Sequence, residues 1–333
     1  MTVRVTDEWT YRSLRAVVVS NDELRVVVLP ELGGKIWQLT DVRTSRDLLW
    51  HNPRVKPRNV PFGAVYDDVF FGGWDELFPN DMPEEINGEA YPDHGELWSS
   101  PWEWSIGRHA ADEVAVILSC RTPISGCRVT KRVLLRSGRA AVEVCSRLTN
   151  ESRTALPYLW KQHVAVPLGQ PARLDLPATT VLMDGFGRPR GRPPQDQYRW
   201  PEFVDAEGRS HDMRQTLPPE SQAAEFQYAT ELEAGWCAVT YGDGIGLGLA
   251  FDPAVFTSCW TFASYGGWRG HEVLIMEPCT GYPVSLAEGL AAGTHRTLQP
   301  AQTLETTVTA VPYSGLSAVT AVRPDGVVEG VTL

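Results

Sequence analysis

Apolar positions along this chain recur at every second residue or in short unbroken runs, and almost never at the three-to-four-residue spacing of an amphipathic helix. Residues 15–19 and 24–29 are β-branched runs on either side of Ser20-Asn21-Asp22, a turn composition. Gly33-Gly34 then breaks the chain before a strand over 35–39. Runs at 114–119, 128–135 and 141–148 predict a second set of strands, with hairpin-like joints at Ile124-Ser125-Gly126 and Ser137-Gly138-Arg139. Further strands are predicted at 236–241, 245–251, 260–263, 273–276 and 304–311, and Gly242-Asp243-Gly244 is a turn between the first two. A short helix is predicted only over 221–228. Many short strands punctuated by Gly and Pro predict an all-β sandwich or barrel, and no internal repeat suggests a propeller.

Two stretches read as long loops. Residues 53–104 are rich in Gly, Pro and aromatics; residues 184–219 carry Arg188, Arg190, Arg192 and Arg199 among several prolines. Long irregular segments in a compact domain are either functional lids or solvated excursions.

Composition narrows the class. A chain of 333 residues, 43% hydrophobic and 21% charged, is globular and long enough to bury a large core. We expect one domain over 1–333. The net charge of −11 argues against nucleic acid or anionic membrane as a partner. The first eight residues lack the apolar core of a signal peptide, and no apolar run approaches the ~20 residues that span a bilayer. The six cysteines show no CxxC pair; we expect reduced, mostly buried thiols in a cytoplasmic protein, Cys120 and Cys127 included although they flank a turn.

Candidate chemistry collects in four places. Phe70-Phe71-Gly72-Gly73-Trp74-Asp75-Glu76 and Tyr91-Pro92-Asp93-His94-Gly95-Glu96 mix carboxylates, aromatics and glycines without alternation, as site-forming loops do. The chain has 12 tryptophans, and an exposed indole face is a platform for the C–H surface of a sugar, although most are expected in the core. In Leu159-Trp160-Lys161-Gln162-His163-Val164-Ala165, a strand period puts Lys161 and His163 on one face, with Trp160, Gln162 and Val164 on the other. An inward Lys is uncommon without a reason and suggests a polar cleft. Val273-Leu274-Ile275-Met276-Glu277-Pro278 places Glu277 on the face of Val273 and Ile275, with Pro278 expected to end the strand at a sheet edge. There is no HExxH or CxxC spacing, no Walker loop, no dinucleotide fingerprint and no GxSxG elbow, so neither metal nor cofactor is expected.

Taken in order, Leu29-Pro30-Glu31-Leu32-Gly33-Gly34-Lys35-Ile36, Asp93-His94-Gly95, Pro157-Tyr158-Leu159-Trp160-Lys161-Gln162-His163, Met276-Glu277-Pro278-Cys279-Thr280-Gly281 and the closing Leu298-Gln299-Pro300 resemble the aldose 1-epimerase, or galactose mutarotase-like, superfamily over nearly the whole chain. The resemblance implies an antiparallel β-supersandwich with few short helices and a concave, sugar-binding face. It implies that Glu277 is the general base, His163 the general acid, and His94 a second sugar-contacting histidine. Trp74, Asp75, Glu76, Asp93 and Lys161 complete the expected binding shell. Exchange of sugar anomers requires a base at O1 and an acid at the ring oxygen, which a carboxylate and an imidazole supply without a cofactor. Two departures bear on the substrate: Gln162 precedes His163 where the family has Asn, and Gly72-Gly73-Trp74-Asp75-Glu76 occupies the family's Arg region. Lys161 suggests that the sugar is anionic. Two other functions fit the same residues: non-catalytic sugar binding, and glycoside cleavage with Asp75, Glu76, Asp93 or Glu96 as a second carboxylate facing Glu277.

Overall fold

Twelve strands form one sheet and eight form a second in the computed structural model, which describes residues 2–109 and 111–333. Every ladder between paired strands is antiparallel in both sheets. Their facing sides share one apolar core: Val17, Val19, Val26 and Val28 of the large sheet and Val114, Val116, Val129 and Val144 of the small one belong to the same buried cluster. Each such side chain, fully withdrawn from water, contributes about 1.5–3 kcal/mol. This is the all-β sandwich that the strand periodicity predicts.

The runs that do not alternate have a physical cause. In Leu24–Leu29, Val26 and Val28 point into the sandwich, while Val27 and Leu29 join an outer cluster with Trp37 and Phe71. The 53–104 region therefore covers the far face of the large sheet, and both faces of these strands are dry. It is not one loop. It contributes Trp74–Leu77, which enters the large sheet between Lys35–Asp41 and Lys161–Pro167. The 184–219 stretch likewise holds three short strands, Gln197–Arg199, Glu202–Val204 and Ser210–Asp212. It is pinned by a buried fork, in which Arg190 Nε and Nη2 donate to the two carboxylate oxygens of Glu225, each at 2.8 Å.

Two expectations fail. The predicted helix over 221–228 is absent; Ala224–Leu232 is a strand between Ala178–Arg188 and Ser258–Tyr265. The two alanines favour helix, but Phe226 and Tyr228 pack on Trp260, and pairing on both sides overrides local preference. Pro278 does not end its strand: Glu272–Cys279 continues through it as a central strand. All six cysteines are free thiols, and all but the half-buried Cys145 are buried. Among the described residues no helix is long and apolar enough to cross a membrane.

Candidate functional site

Strand register assembles the site. His163 pairs with Asp75 on one side. On its other side, the register that joins Lys161 to Cys279 and Val164 to Met276 sets His163 opposite Glu277. Lys35 stands beside Asp75 at the next strand, where Ile36 pairs with Trp74. Directly opposed residues in an antiparallel pair share a face. Lys35, Asp75, His163 and Glu277 thus form one polar row across four adjacent strands. The His163 and Glu277 end of the row opens into a cavity of about 290 Å³ whose walls include Tyr66, Phe70, Phe226, Phe262 and Trp268. Flat aromatic walls with a polar end suit a small ligand that is apolar on its faces and hydroxylated at its rim.

At the polar end, Lys161 Nζ lies 2.6 Å from Glu277 Oε2 and 2.5 Å from Asp81 Oδ1, and 4.5 Å from the centre of the Trp260 ring. Burial works against the Lys161 ammonium, but Asp81 and Glu277 outweigh it and raise its pKa. Burial pushes the Glu277 carboxyl up, against the opposing pull of Lys161. The inward Lys is therefore the counter-charge of two buried carboxylates, and its charge is not left over for a ligand.

His163 has a different environment. Tyr66 donates its hydroxyl proton to Asp75 Oδ2 at 2.7 Å, and Lys35 ion-pairs with the same carboxylate oxygen. The Tyr66 oxygen, 3.2 Å from His163 Nδ1, is then left to accept, so the His163 proton sits on Nδ1 and Nε2 carries a lone pair. The ring meets Tyr66 and Phe70 edge-on. Burial, together with the cations Lys161, His94 and Lys35, holds its pKa well below the ordinary histidine value. These surroundings favour the neutral ring, with Nε2 as an acceptor. That differs from the imidazolium a general acid requires.

His94 is built the opposite way. It stacks on Tyr66 at 4.3 Å, its Nδ1 lies 3.0 Å from Asp93 Oδ1, and its Nε2 lies 3.8 Å from Asp81 Oδ1. Burial opposes its charge, but Asp81 and Asp93 prevail and raise its pKa. The Asp93-His94-Gly95 turn is held tightly: Gly95 has φ +74°, and a Cβ there would lie 2.2 Å from the Phe78 carbonyl oxygen. Only glycine fits that approach.

No family model matches the chain. Solved structures do match its backbone. A candidate aldose 1-epimerase from Klebsiella pneumoniae superposes with a TM-score of 0.68 at 14% identity, covering 92% of this chain and 82% of its own. A galactose mutarotase-like protein from Clostridium acetobutylicum gives 0.63 at 11% identity, covering 94% and 99%. A TPR-domain containing protein from Parabacteroides distasonis gives 0.64 at 14% identity over 90% of this chain, which spans only 47% of that protein's length. The fold is galactose mutarotase-like.

On this mutarotase-like scaffold, five of the eight expected site residues line the cavity: Glu277, His163, His94, Lys161 and Asp93. Asp75 sits directly behind it, reaching His163 through Tyr66. Trp74 and Glu76 do not belong. They occupy the alternate positions of Trp74–Leu77 and face into the sandwich. Trp74 Nε1 donates to Gln162 Oε1 at 2.8 Å. Glu76 accepts from Trp160 Nε1 at 2.8 Å and from Ser146 Oγ at 3.2 Å, with Lys131 Nζ 3.6 Å away, and so ties the two sheets together. Glu96 is also structural, accepting the backbone N–H groups of Ile124 and Ser125 beneath the 122–127 hairpin.

Sequence reasoning missed Tyr66, Asp67, Asp81 and Asp184, all of which line the cavity. Asp81 lies five residues past the Phe70–Glu76 candidate segment, and a carboxylate so close to it was the available signal. Tyr66 and Asp184 carry no local mark, because their roles exist only through partners distant in sequence. Among the described residues no cluster of three or more His, Cys, Asp or Glu side chains is placed to hold a metal ion.

Proposed function

We propose that the cavity binds a sugar as its cyclic hemiacetal and interconverts the two anomers by ring opening and closure. The observation that carries this reading is the opening of a buried carboxylate, Glu277, and two imidazoles, His94 and His163, into one aromatic-walled cavity. Glu277 removes the O1 proton while an imidazole of the cavity protonates the ring oxygen. The C1–O5 bond breaks, the aldehyde turns about C1–C2, and the same groups return their protons as the ring closes. The general fold similarity to a candidate aldose 1-epimerase agrees with this chemistry. Saturation transfer between anomer signals in NMR, run across a panel of sugars, tests it. Binding without exchange over the whole panel would leave a sugar-binding protein instead.

The lining charges revise the expected ligand. Asp67, Asp81, Asp93, Asp184 and Glu277 face the cavity against Lys161 and His94. Lys161 is already shared between two of those carboxylates. A uronate or sugar phosphate would meet uncompensated negative charge in a site of low dielectric. Neutral sugars are therefore expected to exceed their anionic counterparts by ~10-fold or more in kcat/KM. Equal efficiency for glucose and glucuronate in the same assay would remove this claim.

A further inference from the structure

The two histidines of the cavity are not equivalent, and their surroundings divide the chemistry between them. We propose that His94, rather than His163, delivers the proton to the ring oxygen; this rests on the anomer-exchange reading above.

The geometry assigns it. His94 stands among carboxylates: Asp93 from its own turn at 3.0 Å and Asp81 from the preceding loop at 3.8 Å. Asp67, on the short turn that carries the stacked Tyr66, and Glu277 add negative charge, and Lys161 is the opposing cation. With Nδ1 turned to Asp93, Nε2–H is the proton left for the cavity. His163 stands among cations, Lys161, Lys35 and His94; of the two carboxylates that flank it in the row, Asp75 is reached through the Tyr66 hydroxyl and Glu277 is ion-paired with Lys161. Its one proton is held on Nδ1 toward Tyr66, so Nε2 is suited to accept a bond from a sugar hydroxyl. The ring centres lie 6.2 Å apart, close enough for both to touch one pyranose.

The backbone agrees. His94 has φ +58°, in the left-handed region that a β-carbon disfavours by about 1–2 kcal/mol. The conformation is secured by His94 N–H to the Asp81 carbonyl at 2.6 Å. Among the residues that line the cavity, His94 alone carries such a φ.

His94 Nε2–H passes its proton to O5 as the C1–O5 electron pair moves onto O5. Glu277 takes the O1 proton, and the C1=O1 double bond forms. On reclosure O5–H returns its proton to His94 and Glu277 reprotonates O1, so the protein ends unchanged.

The assignment predicts an alkaline limb in the pH profile of kcat, because exchange is lost as His94 deprotonates with rising pH. His94→Gln is expected to lower kcat by ~100-fold or more and to erase that limb. His163→Gln is expected to raise KM and to leave the limb in place. An unchanged limb in His94→Gln, or its disappearance in His163→Gln instead, overturns the proposal. Should His94→Gln fail to fold, imidazole ¹⁵N NMR of the native protein decides, with His163→Gln used to assign the signals. His94 is expected charged at neutral pH and His163 neutral with its proton on Nδ1; the reverse pattern overturns the assignment. Native protein that exchanges no sugar would overturn the anomer-exchange reading itself, and this step with it, whereas exchange that survives in His94→Gln would overturn this step alone.

Discussion

Glu277→Gln is expected to slow anomer exchange by ~1,000-fold or more while a sugar still binds within a few-fold of the native affinity. Gln has the shape of Glu but cannot take a proton from O1. Aromatic contact with Phe226, Phe262 and Trp268 is untouched, so ground-state binding is kept. The substitution also leaves Lys161 a carboxylate partner in Asp81, 2.5 Å away, so the fold should tolerate it. Saturation-transfer NMR measures the exchange, and calorimetric titration measures the binding. Native-like exchange in this variant would take Glu277 out of the mechanism. Because burial raises the Glu277 carboxyl, its ionised form is lost as pH falls through that raised value. An acidic limb in the native pH profile, displaced above the ordinary glutamate range, is the matching signature.

Lys161→Met should be the most destabilising single change in the cavity, costing about 3–5 kcal/mol of unfolding free energy. Met preserves much of the aliphatic stem but removes the ammonium that sits between Glu277 and Asp81, all three side chains being nearly inaccessible. Two carboxylates would then share a buried space with no cation between them, which is more costly than the original pair is favourable. Denaturant titration reads the loss. Adding Asp81→Asn to Lys161→Met is expected to restore part of it, since one of the stranded charges is gone. Full native stability in the single variant would show that the ion cluster carries no weight. Whatever activity survives should show its acidic limb moved upward, because the group that favours ionised Glu277 has been removed.

Much of the fold could be read from the sequence because strand period and turn chemistry are local. The runs around Val17, Val26, Val133 and Val144 needed no knowledge of their neighbours to be recognised as strands. The same locality placed Lys161 with His163, and Ile275 with Glu277, on the cavity side. It failed where pairing decides. Ala223-Ala224 looks helical until Trp260 and the flanking strands claim the segment. The Gly72–Glu76 stretch looks like a loop until Trp74–Leu77 slots into the large sheet and alternation sends Trp74 and Glu76 away from the cavity. The protonation of the two histidines was out of reach for the same reason. It depends on Tyr66, Asp75, Lys35 and Asp81, which come together only in three dimensions. The resemblance of motifs pointed to Glu277, His163 and His94, which line one cavity, but not to the surroundings that set the charge on His163.

The polar row has a consequence for how the cavity is assembled. Lys35 and Glu277 lie in adjacent-but-two strands of one sheet yet at opposite ends of the chain, and His163 midway along it bridges them. No contiguous fragment short of most of the polypeptide contains the row. Pairings of such long sequence separation close late and slowly, after the local hairpins have formed. The cavity is therefore a property of the finished molecule: a nascent or partly unfolded chain can hold most of its hairpins and still lack it.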